Sequence, residues 1–221
     1  MKHAYFIAGT DTGIGKTHAA CALLHAYRQH GVCAVGMKPV AAGIEENGEN
    51  EDVTLLPEAA GFSAKTALIN PYCFREPIAP HIAAADEGVT VDLPPIRDAL
   101  AALQATSEVV LVEGVGGLLV PLGEDFDAAD LAVALALPVI LVVGMRLGCL
   151  NHALLTLEAL QSRGLTLAGW IGNRVDPQMR RFAENLATLE RRLPAPLLGV
   201  LPHGMGSAEA ARHLSLPGAR P

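Results

Sequence analysis

Short runs of consecutive apolar residues alternate along this chain with longer stretches in which apolar positions recur at helical spacing. Continuous apolar runs are typical of strands that are covered on both faces of a sheet. They predict six strands, at residues 4–8, 32–39, 109–112, 139–143, 167–171 and 197–201. The periodic stretches predict four helices, at residues 16–30, 93–103, 150–162 and 179–193. Gly31 and Gly164 stand where helix ends are expected.

This alternation of strands and helices predicts the fold class. It favours an α/β fold with an open, mainly parallel sheet and helices on both faces, in which ligands bind beyond the carboxyl ends of the strands. The length of 221 residues fits a single domain, residues 1–221, better than two domains. Two segments interrupt the pattern. Residues 42–52 are polar and acidic and predict a mobile loop, and the tail after Gly204 is expected to be less ordered.

Composition and charge narrow the classes of function. The formal net charge of -7 at pH 7 gives no electrostatic reason to expect a nucleic acid as partner, because proteins that bind nucleic acids usually present a basic face. The longest apolar run, residues 131–145, is shorter than the about 18 residues that suggest a membrane span and contains Pro138. We therefore interpret it as a helix end followed by a buried strand and expect no membrane partner.

The cysteines and the N-terminus bear on the cellular compartment. The four cysteines are widely spread and form no C-x-x-C pair, so neither a zinc site nor a disulfide framework is predicted. The first residues carry too short an apolar run for a secretory signal. We expect a cytoplasmic protein with reduced thiols.

The stretch GTDTGIGKT, residues 9–17, carries the clearest chemical signal. It lies between a predicted strand and a predicted helix, where backbone N–H groups and the helix N-terminus attract phosphate. Lys16 is then placed to reach the phosphates of a nucleotide, and the Thr17 hydroxyl to bind Mg²⁺. The usual motif has its first glycine at the position of Thr10, whereas the first glycine here is Gly9, one residue earlier. The alternative is a glycine-rich turn without a ligand, and G-K-T at this junction argues against it.

Two charged residues at predicted strand ends are candidates for the same site. Glu113 follows the apolar run EVVLV and begins the glycine-rich EGVGG, which places a carboxylate at the ligand-binding edge of the sheet. Lys38 follows AVGM and precedes Pro39, where it would neutralise a reacting anion. Taken alone, each residue is explained equally well by a structural role. Glu113 would then cap the next segment, and Lys38 would be a solvated lysine at a strand end.

Six motifs taken together resemble one known family. They are GTDTGIGKT, MKPVAAG, NPYCFREPIAPHIAA, LVEGVGG, PVILVVGMRLGCLNHALLT and LAGWIGN. In this order, from Tyr5 to about residue 201, the chain resembles the dethiobiotin synthetases. The resemblance implies a P-loop NTPase-type fold and a ligase of biotin biosynthesis that depends on ATP and Mg²⁺.

The reaction that the resemblance implies joins CO₂ to 7,8-diaminononanoate and closes a ureido ring, which gives dethiobiotin, ADP and phosphate. One amine becomes a carbamate, and its oxygen attacks the γ-phosphate to form a carbamic–phosphoric anhydride. The second amine then attacks the carbonyl carbon. Because the reacting groups come from the substrates, the protein's contribution is mainly positioning and charge stabilisation.

The resemblance also implies a role for each matching residue of the nucleotide site. Lys16 and Lys38 are the catalytic residues that hold the carbamate and the γ-phosphate. Thr17, Asp52 and Glu113 hold Mg²⁺ through hard oxygen ligands. The remaining ATP-binding residues are Gly13, Ile14, Gly15, His18, Gly114, Val115, Gly116, the adenine-reading Asn173, and Pro202, His203, Gly204 and Glu209 beside the adenosine.

The diamine site is implied in the same way. Thr12, Lys38 and Ala42 are expected beside the diamine. Its carboxylate is expected at a helix start contributed by the other subunit, which implies a homodimer with active sites at the subunit interface. The residues at that helix start are Gly148, Cys149 and Asn151. A helix start on a surface loop is the alternative, and His81 and His152 are at least as readily structural as catalytic.

The sequence departs from the family pattern at two positions. Ala42 replaces a serine that is often found there, and Gly13 stands where an acidic residue is common. Neither departure affects Lys16, Lys38 or Glu113.

Three rival functions fit the sequence less well. Switch ATPases of the partition class carry a signature lysine at the position of Asp11, and their second switch tends to begin with Asp rather than Glu113. An amidoligase acting on a cobalamin precursor would normally need a glutaminase domain, for which 221 residues leave no room. In a family member that binds ATP without catalysis, intact lysines and carboxylates would not be expected.

Overall fold

A computed structural model describes residues 3–46 and 48–218 of the chain. Within these residues eight strands form two sheets. The strands are β1 (His3–Gly9), β2 (Ala34–Met37), β3 (Val40–Ala42), β4 (Tyr72–Phe74), β5 (Val109–Glu113), β6 (Val139–Gly144), β7 (Leu167–Asn173) and β8 (Leu197–Leu201). The larger sheet has the order β2-β5-β1-β6-β7-β8, and β3 pairs with β4 in the smaller one. Neighbouring strands are parallel in both sheets.

Helices cover both faces of the larger sheet, as predicted. They are α1 (Lys16–Gln29), α2 (Glu51–Ala60), α3 (Thr66–Ile69), α4 (Pro80–Asp86), α5 (Leu93–Thr106), α6 (Ala128–Ala134), α7 (Cys149–Ser162), α8 (Phe182–Arg192) and α9 (Ser207–Ala210). Buried residues of α1, α2 and α9 form one core layer, and those of α3 to α8 form the other. Among the described helices, none is long and apolar enough to cross a membrane.

The central strands are apolar throughout because alternate side chains enter opposite layers of the core. In β1, Tyr5 and Ile7 pack in the layer of α1, whereas Phe6 and Ala8 pack in the layer of α5 to α8. All six residues of β6 are buried. Residues 131–145 form the end of α6 and then β6, which confirms the interpretation of the longest apolar run.

Several predicted boundaries were wrong. The strand predicted at residues 32–39 is only β2, because the chain leaves the sheet at Lys38, whose backbone N–H donates to Ile69 O at 2.7 Å. The helix predicted at residues 179–193 is α8, which begins at Phe182 and ends at Arg192. The helix predicted at residues 93–103 extends to Thr106. Six further elements were not predicted from the sequence, namely α2, α3, α4, α9, β3 and β4.

The two segments expected to be irregular are also partly ordered. Residues 42–52 are not one loop, because Ala42 ends β3 and Asp52 lies in the first turn of α2. Asn50 caps that helix, since its side chain accepts a hydrogen bond from Val53 N at 3.3 Å. Asn47 lies outside the described residues. In the tail, α9 packs against α1, whereas residues 219–221 lie outside the described part.

The strand order brings the candidate residues to one edge of the sheet. Parallel strands end at the same edge, and the loops that follow them meet there. In the register, Ile7 pairs with Glu113 and Gly144 with Asn173, so the ends of β1, β5, β6 and β7 lie side by side. The phosphate loop follows β1, at the centre of this edge.

Candidate active site

The loop between β1 and α1 has the backbone geometry of a phosphate-binding loop. Gly13 and Gly15 have positive φ angles of 70° and 80°, a region that L side chains rarely adopt. At Gly15 a side chain is also excluded by space, because an added Cβ would lie 2.3 Å from Asn173 Nδ2. Asn173 Nδ2 donates to Ile14 O at 2.7 Å and so supports the loop from behind. Gly13 therefore has a conformational reason for being glycine rather than an acid.

Thr10, at the position of the usual first glycine, ties the loop to β6. Its backbone N–H donates to Val142 O at 3.0 Å. Its hydroxyl accepts a hydrogen bond from Gly144 N at 3.3 Å. A glycine would lack this hydroxyl contact, so the unusual spacing of the motif adds an anchor between two strand ends.

Four residues from separate parts of the fold form a charge cluster, which consists of Thr17, Lys38, Asp52 and Glu113. Lys38 Nζ lies 2.8 Å from Asp52 Oδ2 and 2.5 Å from Glu113 Oε1. The Thr17 hydroxyl lies 2.6 Å from Asp52 Oδ1 and 2.8 Å from Glu113 Oε1. Glu113 is 0% exposed and Lys38 3% exposed, so these two charges meet away from bulk water, whereas the Asp52 side chain is 36% exposed.

The protonation of this site follows from its charges. Burial by itself lowers the pKa of the Lys38 ammonium, but Glu113 and Asp52 outweigh it, and the pKa is raised overall. Burial would raise the pKa of Asp52, but Lys38 and the hydrogen bond from Thr17 lower it overall. Lys38 and Asp52 are therefore charged at neutral pH.

Lys16 has a different environment from Lys38. Burial and the neighbouring Lys38 lower the pKa of Lys16 to about 8, although nearby carboxylates oppose this. Its Nζ donates to a backbone carbonyl, Asp11 O, at 3.1 Å. This carbonyl is a neutral acceptor, whereas a bound phosphate would give the Lys16 ammonium an anionic hydrogen-bond acceptor.

The charge cluster fits a divalent magnesium ion. Glu113 Oε2 is buried and, among the described residues, has no hydrogen-bond partner. Asp52 and the Thr17 hydroxyl add further hard oxygen atoms next to it. Mg²⁺ usually takes only one or two carboxylates from a protein and completes its octahedron with phosphate oxygens and water. The donor set is therefore sufficient in type and number.

Asn70 holds Lys38 in place and was missed by the sequence analysis. Its Nδ2 donates to Lys38 O at 2.5 Å and to Tyr72 O at 2.9 Å. The side chain is buried between β2 and β4. The only signal in the sequence was its position as the first residue of the NPYCFREPIAPHIAA motif.

A cavity of about 1120 Å³ lies over the phosphate loop and the charge cluster. Most of the residues predicted for the phosphates, the metal and the diamine line it. They are Thr12, Gly13, Gly15, Lys16, Thr17, His18, Lys38, Ala42, Asp52, Glu113, Val115 and Gly116. Several other residues that line the cavity were not predicted as site residues, including Leu55, Pro77, Ile78, Pro80, Val120 and Ser207.

Other predicted site residues do not line this cavity. Ile14 and Gly114 are packed in the core, and Asn173 lies behind the phosphate loop. Asn151 is exposed in the first turn of α7, next to the buried Cys149 and after Gly148. Their proposed contacts with adenosine or diamine stay predictions, as do those of Pro202, His203, Gly204 and Glu209.

Comparison with known sequences identifies the family. A family model described as an AAA domain matches residues 3–210. The ATP-dependent dethiobiotin synthetase of Aromatoleum aromaticum is 60% identical over 97% of this chain and 98% of that protein. The chain belongs to the dethiobiotin synthetase family. A second relative, from Nitrosospira multiformis, is 54% identical over 92% of this chain and 89% of its own length. The resemblance drawn from the six motifs is confirmed.

Solved structures confirm the fold class of this dethiobiotin synthetase family member. The MinD cell division protein of Aquifex aeolicus superposes with a TM-score of 0.58 at 15% identity, over 96% of this chain and 86% of that one. A ParA family ATPase from Chlorobium tepidum gives 0.56 at 15% identity, over 96% and 90%. At this identity the likeness concerns the P-loop NTPase fold alone.

Proposed function

We propose that this protein catalyses the ATP- and Mg²⁺-dependent carboxylation of 7,8-diaminononanoate and its ring closure to dethiobiotin, with release of ADP and phosphate. The observation that carries the proposal is the charge cluster, which places Lys38 and two carboxylates beside a phosphate loop. A turn that only bound phosphate would not need Lys38 buried in the same cavity. Family membership supplies the substrate class.

The two lysines stabilise the charge that builds up during the reaction. Both line the cavity, Lys16 from the start of α1 and Lys38 from the end of β2. They neutralise the carbamate and the transferred phosphoryl group, in a site where burial strengthens each interaction. Thr17, Asp52 and Glu113 hold Mg²⁺, whose contribution when bound is to neutralise phosphate oxygens.

The rest of the cavity suits an aliphatic diamine. Pro77, Ile78, Val115 and Val120 give one part of its wall an apolar surface. Thr12 and Ala42 lie in the same cavity. An alkyl chain between two amines is accommodated by such a wall through burial of apolar area.

We further propose a homodimer in which each active site uses the α7 start of the partner. Leu147 is 94% exposed directly before α7, and Leu155 is exposed on the same helix. Burial of these two side chains against a second chain would remove apolar surface from water, which supports the proposal. Asn151 lies in the first turn of α7, where N–H groups have no intrahelical partner and attract a carboxylate.

The proposed compartment is the cytoplasm. All four cysteines lie in the described part of the chain and are free, with Cys33 and Cys73 exposed. Exposed free thiols suit a reducing compartment. The reaction also consumes ATP.

The reaction is tested by incubating the protein with diaminononanoate, ATP, Mg²⁺ and labelled bicarbonate. We expect labelled dethiobiotin together with ADP release that depends on the diamine. Diamine-independent ADP release without labelled product would contradict the proposed function.

Shared active sites are tested by mixing two inactive variants, Lys38→Ala and Asn151→Asp. The second variant would set a carboxylate against that of the diamine. After subunit exchange, half of the dimers carry one site with both residues intact, so about a quarter of the wild-type activity returns. No recovery despite measured exchange would contradict sites at the subunit interface.

A further inference from the structure

An ion pair joins the phosphate loop to the loop between β6 and α7. Arg146 Nη2 lies 2.6 Å from Asp11 Oδ2, and both side chains are partly exposed. Asp11 stands where the switch ATPases carry their signature lysine, so this position has another role here. Exposed ion pairs contribute little to folding stability, so stability alone gives weak reason for the contact.

Asp11 accepts hydrogen bonds from two residues that follow it in the phosphate loop. Its Oδ1 accepts a hydrogen bond from the backbone N–H of Thr12 at 2.8 Å. Its backbone carbonyl accepts one from Lys16 Nζ at 3.1 Å. With Oδ2 on Arg146, both carboxylate oxygens and the carbonyl of Asp11 are engaged. The orientation of Asp11 therefore sets the orientation of Thr12.

Thr12 is the residue through which this arrangement reaches the cavity. It lines the cavity together with Gly116. A Cβ added to Gly116 would lie 3.3 Å from Thr12 Oγ1, so the hydroxyl is packed closely against the EGVGG segment. A small rotation at Thr12 would change the space and the polar contacts available to a substrate at this end.

Arg146 is itself held by the surrounding backbone. Its carbonyl accepts a hydrogen bond from Cys149 N at 3.0 Å, in the turn that opens α7. The preceding residue, Met145, donates from its N–H to Asn173 O at 2.7 Å. The guanidinium therefore extends to Asp11 from a fixed base. It also compensates the charge of the Asp11 carboxylate.

We infer that Arg146 is a positioning residue that acts through Asp11 on Thr12, at the diamine end of the active site. This inference rests on the proposed function for the identity of the substrate. Loss of the ion pair does not alter the glycines of the phosphate loop or Lys16. ATP binding is therefore expected to change less than diamine binding. The signature is a selective rise in the KM for the diamine.

The test compares Arg146→Ala, Arg146→Lys, Asp11→Ala and the double variant Asp11→Ala/Arg146→Ala. For Arg146→Ala we expect the diamine KM to rise about 5- to 20-fold, with the ATP KM within about twofold of wild type. Arg146→Lys keeps the charge and is expected to restore most of the diamine affinity. Because the residues act as one unit, the double variant should be no worse than Asp11→Ala.

The matched control is Arg163→Ala. Arg163 forms ion pairs with Asp127 and Asp130 at the start of α6, and none of these residues lines the cavity. This variant is expected to lower the Tm without changing the diamine KM. A purely structural role of Arg146 would give the same pattern as Arg163 and would overturn the inference.

Two other outcomes would also overturn it. Additive effects in the double variant would mean that Arg146 acts independently of Asp11. Equal increases in the KM values for ATP and diamine would mean a general distortion of the loop.

Wild-type protein in the same assay separates this inference from the proposed function. If the wild-type protein forms no dethiobiotin, both the proposed function and this inference fail. If the wild-type protein forms dethiobiotin and the diamine KM of Arg146→Ala is unchanged, only this inference fails.

Discussion

Two sides of the ligand-binding edge of the sheet differ in how completely one chain builds them. On the β2–β5 side, Lys38 and Glu113 are buried, line the cavity and contact each other within the chain. On the β6–α7 side, Leu147 is almost fully exposed, and Asn151 is exposed and does not line the cavity. The charges of the first side are paired within a single chain, whereas the second side leaves an apolar and a polar side chain exposed.

This difference follows from position in the sheet. The end of β5 lies between β2 and β1, and α2 covers it, so charges there are desolvated and must compensate each other. The start of α7 follows a loop at the surface, where apolar and polar groups remain accessible. The buried charges are therefore preorganised within each chain, whereas in the proposed dimer the distant end of the diamine would be recognised by the second chain.

The largest effect is expected on the buried side, from Lys38→Ala. Removing this ammonium takes away one of the two lysine charges proposed to neutralise the carbamate and the phosphoryl group, and turnover should fall by at least about 10²- to 10³-fold. ATP binding should remain largely intact because Lys16 and the loop are unchanged. Initial rates and calorimetric ATP titrations check this, with the exposed Lys65→Ala as control. Near-normal turnover would remove Lys38 from the mechanism.

On the exposed side, Leu147→Glu is expected to break the proposed dimer. A charge in an apolar contact is costly, so the variant should sediment as a monomer and lose at least about tenfold in diamine-dependent turnover. ATP binding should persist, since the phosphate loop belongs to one chain. Val133→Glu is the control, because Val133 is also partly exposed but lies on α6. A dimeric, active Leu147→Glu protein would refute the division between the two sides.

Asn173→Ala tests the support of the phosphate loop, which lies between the two sides. The variant loses the hydrogen bond to Ile14 O and leaves space next to Gly15. We expect the ATP KM to rise about tenfold, as for the loss of one buried hydrogen bond worth about 1.4 kcal/mol. Asn185→Ala, which removes an exposed amide on α8, is the control for steady-state kinetics. An unchanged ATP KM would show that the loop does not need this support.

The smallest effect is expected from Ala42→Ser, at the end of β3. The serine adds a hydroxyl to the cavity wall at a position where the family often has one, and the site is only partly buried. The diamine KM should fall by about two- to threefold through one neutral hydrogen bond. The ATP KM, measured on the same protein, should not change. A higher diamine KM would mean that the cavity has no space for the added hydroxyl at position 42.

The local features of this protein could be predicted from its residue pattern. Apolar runs marked all six strands of the larger sheet, because a strand covered on both faces must be apolar at consecutive positions. GTDTGIGKT marked the phosphate loop, since glycine is needed where φ is positive. The order of the six motifs was specific enough to indicate the family.

Which of these features come into contact depends on how the chain folds. Lys38 contacts Asp52, 14 residues away, and Glu113, 75 residues away, because β2 and β5 are neighbours in the sheet and α2 packs on them. Arg146 reaches Asp11 across 135 residues because β6 lies beside β1. Hydrophobic periodicity encodes burial but not strand order. The residue pattern alone therefore placed Asp52 in an acidic loop and only the family resemblance pointed to a role for it, whereas the position of α2 brings its carboxylate to Lys38.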